Sequence, residues 1–329
     1  MMRFGDITVA PGQIARAALP LINSPDGIPI DAPVIIVSGK RPGPRLWVQA
    51  CIHGNEVGGT LALQRLVASL SPDALRGTLI AVMVLNVPAF RARSRESPID
   101  HANLNRVFPG APAGRFSDQM AHRIFAAARE HADAFLDLHS AGDAGRVPFY
   151  AIYHADGSAA SRRARDMVEC TGTPYLWASD ARWLEGASFT LLTQQGIPAT
   201  IVEVGGGEVT DEDLAMFERA LRGTMAALDM TDERPAKQRS YTILRGSQMM
   251  QVRRGGILIP RARAGDILHE GQPLGDLVDP YGDVVETVTC PFPKGFVASM
   301  RRRGYVVHPG ERVSIMLEVA GEEGARGDG

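Results

Sequence analysis

Leu46-Trp47-Val48-Gln49-Ala50-Cys51-Ile52-His53-Gly54-Asn55-Glu56 decides how this chain is read. The first seven residues form an apolar run of strand length. His53 and Glu56 follow with two residues between them, and an amphipathic pattern opens near Val57. An imidazole and a carboxylate therefore stand between an expected strand and an expected helix. Ligand sites of α/β sheets lie there, outside the carboxyl ends of the strands. A His nitrogen and a Glu oxygen suit zinc, and a catalytic zinc needs one further protein ligand and an open position. Asp137-Leu138-His139, closing another apolar run, offers that ligand, although a lone His after a strand is more often structural or exposed.

Outward from this stretch, residues 34–37, 46–52, 78–85, 135–138 and 199–204 read as buried strands. Residues 58–70, 117–129, 158–169, 188–195 and 211–228 read as helices. Ser117 and Thr210, each followed by acidic residues, look like helix starts. The alternation predicts an α/β fold with a mixed, mostly parallel sheet and helices on both faces, over residues 1–230. Residues 231–238, polar and containing Pro235, read as a linker. Over residues 240–320, short β-type runs are punctuated by Gly and Pro, as expected of a small all-β domain. The Gly-rich, charged residues 321–329 read as a disordered tail.

Composition narrows the classes of function. The 329 residues are 45% apolar with a formal net charge of −2, enough for a sizeable core and little attraction for nucleic acid. Cys51, Cys170 and Cys290 are scattered, so a reducing compartment and a cytoplasmic location are expected. Residues 1–6 carry no apolar leader, and no apolar stretch is long enough for a membrane span. No membrane partner is expected, and a homo-oligomer stays open.

Four polar clusters sit at or after the strand-like runs. They are His53 with Glu56; the Arg95 to Arg106 loop with its Asn103-Leu104-Asn105-Arg106; Asp137 with His139; and Glu203 inside Ala199-Thr200-Ile201-Val202-Glu203-Val204-Gly205. A carboxylate within an apolar run is expensive to bury, so Glu203 is expected to be paired with an arginine, metal-bound or catalytic. Asn105-Arg106 before Phe108-Pro109-Gly110 reads equally as a turn with an exposed arginine. Parallel neighbouring strands would bring all four clusters to one sheet edge.

In this order and context, His53-Gly54-Asn55-Glu56, Asn105-Arg106 with Phe108-Pro109-Gly110, Asp137-Leu138-His139-Ser140, and Glu203 before Val204-Gly205 resemble the succinylglutamate desuccinylase/aspartoacylase family. That family is a branch of zinc carboxypeptidase-like enzymes, and the resemblance covers roughly residues 40–230. It implies one Zn2+ per chain, held by His53, Glu56 and His139. It implies Glu203 as general base and acid, and Arg106 as a substrate-binding or carbonyl-polarising residue. Arg95 and Arg106 share two tasks, oxyanion stabilisation and clamping a substrate carboxylate, in an order the sequence leaves open. Asn105 and His101 are substrate-pocket candidates, and a surface loop residue is the alternative for His101. Asp137, two residues before His139 on one strand face, is a candidate for orienting that imidazole or for an ordinary structural hydrogen bond. Asn103 is a departure, because many relatives carry Asp there. A His/His/carboxylate set also accepts cobalt, nickel or iron.

The C-terminal β unit resembles a lipoyl/biotinyl barrel-sandwich around residues 255–275. Lys294 lacks the context of a carrier lysine, so a structural or gating appendage is expected. The function expected from all this is removal of an acetyl or succinyl group from a small N-acyl amino acid, such as N-acetyl-diaminobutyrate or succinylglutamate. The alternatives are a zinc carboxypeptidase acting on peptide C-termini and a non-catalytic binding relative.

Overall fold

The computed structural model describes residues 1–235 and 237–324. In chain order the elements are β1 (Met2–Phe4), β2 (Ile7–Val9), β3 (Gln13–Asn23), β4 (Pro29–Ser38), β5 (Arg41–Ala50), α1 (Gly58–Ser69), β6 (Arg76–Val82), α2 (Val87–Ala92), α3 (Phe116–His131), β7 (Ala134–His139) and β8 (Gly145–His154). Then come α4 (Ala159–Glu169), β9 (Tyr175–Ser179), α5 (Ser188–Gln194), β10 (Ala199–Gly205) and α6 (Asp211–Ala227). The C-terminal strands are β11 (Ser240–Gln251), β12 (Gly256–Pro260), β13 (Ile267–His269), β14 (Pro273–Val278), β15 (Val284–Thr289), β16 (Lys294–Arg301), β17 (Val306–Val307) and β18 (Arg312–Gly324).

Strand alternation sets the layers. Trp47 of β5, Phe135 of β7 and Ile201 of β10 join one apolar cluster, which α3 and α5 cover through Met120, Ile124, Phe189 and Leu192. Leu46 and Val48 of β5, Leu136 and Leu138 of β7, and Val202 and Val204 of β10 face the other way. There α1, α4 and α6 cover them through Leu63, Met167 and Phe217. Helices lie on both faces, as the periodicity predicts.

The expectation of a mostly parallel sheet is corrected. The large sheet runs in the order β13-β16-β18-β11-β9-β8-β10-β7-β5-β6-β4-β3. Among the described residues, five of these neighbour pairs are parallel and six antiparallel, so the sheet is mixed. Parallel neighbours need a crossover of a dozen or more residues. The link between β3 and β4 is too short for one, and so are most links in the C-terminal unit. Five strands escaped the periodic reading: β1 and β2 are only three residues long, β3 is an edge strand exposed at alternate positions, and β8 and β9, although bounded by Gly, Asp and Pro, show no two-residue alternation of burial.

In the C-terminal unit β13, β16, β18 and β11 form one layer and β15, β14, β12 and β17 the other. Val252, Leu258, Leu277, Val297 and Met316 fill the space between them. The first layer is continuous with the large sheet, because β11 pairs in parallel with β9 from Thr242–Tyr175 to Leu244–Trp177. Residues 321–324, expected in a tail, extend β18 beside β11. Residues 325–329 and residue 236 of the expected linker lie outside the described residues.

Capping shows where local signals suffice. The Thr210 hydroxyl accepts the Asp213 N–H at 3.1 Å and starts α6 as its sequence predicts. Ser117 lies inside α3 rather than capping it. Its N–H and hydroxyl donate to the Asp100 carboxylate at 2.9 and 2.7 Å, so a residue from the preceding loop caps the helix.

Between β5 and α1 the backbone passes against α2. A Cβ on Gly54 would lie 2.1 Å from the carbonyl carbon of Ala89 and 2.2 Å from the Phe90 nitrogen. Backbone atoms cannot give way as a flexible side chain would. Gly54→Ala is therefore expected to lose about 1–3 kcal/mol or more of stability, read as a lowered Tm in thermal unfolding. An unchanged Tm would show that α2 is free to move.

Candidate functional site

β5 ends at Ala50, and Cys51 turns out of the sheet in the left-handed conformation (φ 56°). The Glu56 N–H then donates to the His53 carbonyl at 3.1 Å. This turn sets His53 Nδ1 2.9 Å from Glu56 Oε1. From β7, the parallel neighbour of β5, His139 brings its Nδ1 to 3.1 Å from Glu56 Oε2. The two imidazole rings stand 5.0 Å apart. His53, Glu56 and His139 are only 2%, 1% and 3% exposed, so their charges must be balanced within the protein.

Part of the balance comes from Arg95, whose NH1 donates to Glu56 Oε1 at 2.6 Å, and from the Ser140 N–H, which donates to Oε2 at 3.1 Å. Burial pushes the Glu56 carboxyl up, but His53, His139 and Arg95 together hold it well below the usual range. Burial, reinforced by the Arg95 charge, lowers His53 to about 3, so this imidazole is neutral and its lone pair is available. For His139, burial is overridden by Asp137 and Glu56, which hold the ring well above its ordinary value.

These residues fit a divalent metal. One donor atom from each of His53, Glu56 and His139 can be chosen so that all lie within 4.8 Å of one another. Tetrahedral bonds of ~2.0–2.2 Å would bring such atoms to roughly 3.3 Å apart. His53 Nδ1, despite its closeness to Glu56, has no aligned hydrogen bond. Two lone-pair donors thus face a common point with no proton shared between them. The far side of each imidazole is held as well. Asn103 Oδ1 is hydrogen-bonded to His53 Nε2 at 3.2 Å, while Asp137 Oδ2 lies 3.0 Å from His139 Nε2 as a charge contact without an aligned hydrogen bond. Such outer partners fix tautomer and ring orientation.

Glu203 stands beside this cluster through strand register. In β10 it pairs with His139 of β7 on one side and Tyr150 of β8 on the other. The β10–β8 register shifts between Glu203 and Gly205, and Gly205 adopts a positive φ of 71°. A bulge at this point re-aims side chains at a strand end. Glu203 Oε2 has no hydrogen-bond partner among the described residues. Burial, helped by the charges of Glu56 and Asp137 against those of His139 and Arg95, raises this carboxyl to about 7.

One pocket is lined by His53, His139, Glu203, Arg95, Asn105 and Arg106. Asn105 Oδ1 accepts the Ser188 N–H at 3.2 Å, and its Nδ2 lies 3.4 Å from His139 Nε2. Arg106 donates from NH1 to the Asn105 carbonyl at 2.6 Å and lies over the Trp183 ring at 4.9 Å. His101 is not brought in: it is exposed, with φ 55°, and stands outside the lining. Tyr150, Trp183, Arg301 and Arg312 also line the pocket; in the sequence the run Arg301-Arg302-Arg303 reads as a solvated strand or turn, with contact to an acidic ligand as the alternative, and nothing singles out the other three. Tyr150 sits in a strand the periodicity did not show. Arg301 and Arg312 come from β16 and β18, with no motif to announce them.

Asn103 holds the position at which the sequence departs from many relatives. The structure places it behind a candidate metal ligand and not in the pocket lining. Asn103→Ala is expected to weaken zinc affinity by ~10–100-fold, measured by chelator competition. Unchanged affinity would mean that His53 needs no outer support.

Comparison with known proteins identifies the family. Residues 42–230 match the model of the succinylglutamate desuccinylase/aspartoacylase catalytic domain. The chain is 29% identical over 293 residues to the N-alpha-acetyl-L-2,4-diaminobutyric acid deacetylase of Halomonas elongata, covering 87% of this chain and 85% of that one. The product-bound ectoine utilization protein of Ruegeria pomeroyi superposes with a TM-score of 0.83 at 24% identity, covering 95% of this chain and 98% of that one. An aspartoacylase family protein of Mesorhizobium loti gives a TM-score of 0.79 at 26% identity, over 95% and 96% of the two chains. The matched segment spans more than half of the chain and contains every residue of the His-Glu-His cluster and Glu203, and the chain belongs to the succinylglutamate desuccinylase/aspartoacylase family.

Proposed function

We propose that this protein is a zinc-dependent hydrolase that removes an acetyl or succinyl group from a small N-acyl amino acid. One observation carries the reading: three buried donor groups converge, and a carboxylate with no partner of its own sits on the next strand at the register of His139. We assign His53, Glu56 and His139 to a single zinc. When bound there, zinc supplies the Lewis acidity that lets water act as a nucleophile near neutral pH.

Glu203 takes the proton of the attacking water and returns it to the amine nitrogen that leaves. Arg106, clamped by the Asn105 carbonyl and the Trp183 ring, has no carboxylate partner among the described residues. We assign it to the scissile carbonyl, where it stabilises the negative charge that develops on oxygen. Arg95 is engaged by Glu56, and we assign it to holding that carboxylate and to the adjoining pocket wall. Asn105 ties this wall to His139 and to the start of α5.

Residues of β16 and β18 close over the pocket. This roof favours small acylated amino acids over peptide C-termini. The unpartnered Glu203 favours turnover over binding alone, since a buried base without a task is an unfavourable feature to keep. Cys51, Cys170 and Cys290 are buried and form no disulfide among the described residues, which supports a reducing, cytoplasmic setting. No described helix is long and apolar enough to cross a membrane.

Hydrolysis assays of the zinc-loaded protein on a panel of N-acyl amino acids and short peptides test the reading, and turnover of peptides alone would overturn it. Glu203→Gln is expected to keep its zinc, by metal analysis, while kcat falls by ~10²–10⁴-fold; normal turnover would remove Glu203 from the chemistry. The base must be unprotonated to act, so kcat/KM should fall as pH drops through the Glu203 pKa. That value is about 7 from the protein's own groups, and a neighbouring dication moves it lower. A pH–rate profile that rises towards acid would contradict the assignment.

A further inference from the structure

The pocket has an apolar side that the chemistry of hydrolysis leaves unused. Ile201 stands two residues before Glu203 on the same face of β10. It pairs with Ile152 of β8, and Ile152 pairs with Trp177 of β9. The three side chains form one row across the sheet, one pleat below the row of Glu203 and Tyr150. All three are almost wholly buried, and all three line the pocket. None of the charged residues in the lining belongs to this row. Asp137 stands opposite Ile201 on β7, but it contacts His139 and is not part of the lining.

The row has one polar side-chain atom, Nε1 of Trp177. An indole N–H can only donate, and this one is buried with no acceptor among the described residues. Trp183, whose ring centroid lies 5.7 Å from that of Trp177, shows the ordinary arrangement, since its Nε1 donates to the Ser247 hydroxyl at 2.9 Å. A buried donor without an acceptor is destabilising. Trp177 borders the pocket, so an acceptor on a ligand can supply the missing partner. Position decides which part of a substrate meets the row. The strand order β9-β8-β10-β7-β5 puts His139 and the turn of His53 and Glu56 on one side of Glu203, and Trp177 on the other. Two strand spacings, roughly 10 Å, separate β10 from β9. Glu203 is assigned to the leaving nitrogen, so the group which that nitrogen carries extends away from the metal residues, over Ile201 and Ile152 towards Trp177.

We propose that Ile201, Ile152 and Trp177 form the subsite for the side chain of the released amino acid, and that this side chain is uncharged: an aliphatic stem bearing a neutral hydrogen-bond acceptor for the Trp177 N–H. The proposal rests on the deacylase reading and narrows its substrate class. A carboxylate in the row would be desolvated with no cation in the row to balance it. An ammonium would bring only donors to a lone donor. The arginines of the lining meet the scissile carbonyl and the α-carboxylate, which every N-acyl amino acid carries, so they do not choose among side chains.

Binding to zinc-loaded Glu203→Gln protein, measured by calorimetry, tests the assignment without turnover. Four probes share an N-acetyl group and a two-carbon stem: N-acetyl-O-methyl-L-homoserine, N-acetyl-L-norleucine, N-acetyl-L-glutamate and Nα-acetyl-L-2,4-diaminobutyrate. Each uncharged probe is expected to bind at least ~10-fold more tightly than either charged one. The ether should bind ~2–10-fold more tightly than norleucine, its alkyl isostere, the span of one net hydrogen bond. Adding Trp177→Phe, which keeps a ring and removes the N–H, should bring ether and alkyl within about twofold of each other. Ile152→Val should weaken both uncharged probes by roughly fourfold, the effect of one buried methylene, and leave the charged probes unchanged; it carries the test should Trp177→Phe fail to fold. Tighter binding of the glutamate or diaminobutyrate compound, or an ether preference that survives Trp177→Phe, would overturn the proposal. So would an N-butanoylglycine that outbinds N-acetylglycine and loses that gain with Ile152→Val, because the row would then hold the acyl chain. Turnover by the wild-type enzyme is scored separately. The expected binding preferences without hydrolysis of any probe would support the subsite and sink the deacylase reading.

Discussion

Glu56 is the carboxylate on which the site depends. It is almost wholly buried, and three separate parts of the chain meet on its two oxygens: His53 from its own turn, His139 from the end of β7, and Arg95 from the following loop. A buried anion without partners would be severely destabilising, and this one is held ionised by the positive or hydrogen-bonding groups around it. The same arrangement leaves two imidazole nitrogens and a carboxylate directed at one point. Structural balance of charge and readiness for a dication are the same set of contacts here.

Strand register extends the arrangement to the reacting groups. Because β10 lies parallel to β7, Glu203 comes level with His139, and the bulge before Gly205 turns the strand end towards the pocket. Rigid strands position such groups more closely than loops do, which suits the role of base proposed for Glu203. Arg106 comes instead from a short 3₁₀ turn, and that turn is fixed by Asn103, Asn105 and the ring of Trp183. Outer contacts do for this loop what hydrogen-bonded ladders do for the strands.

The C-terminal β unit changes the meaning of the pocket. Seen alone, residues 240–320 are a punctuated β pattern without chemistry. Joined to the sheet through β9 and β11, they contribute residues of β16 and β18 to the pocket wall. Arg301 and Arg312 thereby enter a site whose other walls come from residues 53–203. Enclosure lowers the effective dielectric, so each charge in the pocket counts for more in choosing a ligand.

Local pattern alone determined the helices other than the short α2, most central strands, the cap at Thr210 and the polar clusters at strand ends. Each depends on side-chain period, turn chemistry or a short motif, and all of these are written within a few residues. His53, Glu56, His139 and Glu203 were legible because charged groups at the ends of apolar runs are hard to explain otherwise. The direction of the outer strands was not legible, since apolar period does not distinguish parallel from antiparallel neighbours. Nor was the partner of Ser117, which is a carboxylate seventeen residues earlier. Tertiary structure alone decided that Asn103 supports His53, a candidate metal ligand, that His101 stays outside, and that Arg312 reaches the pocket. These are contacts between segments far apart in the chain, set by sheet pairing and loop closure, and no local spacing encodes them.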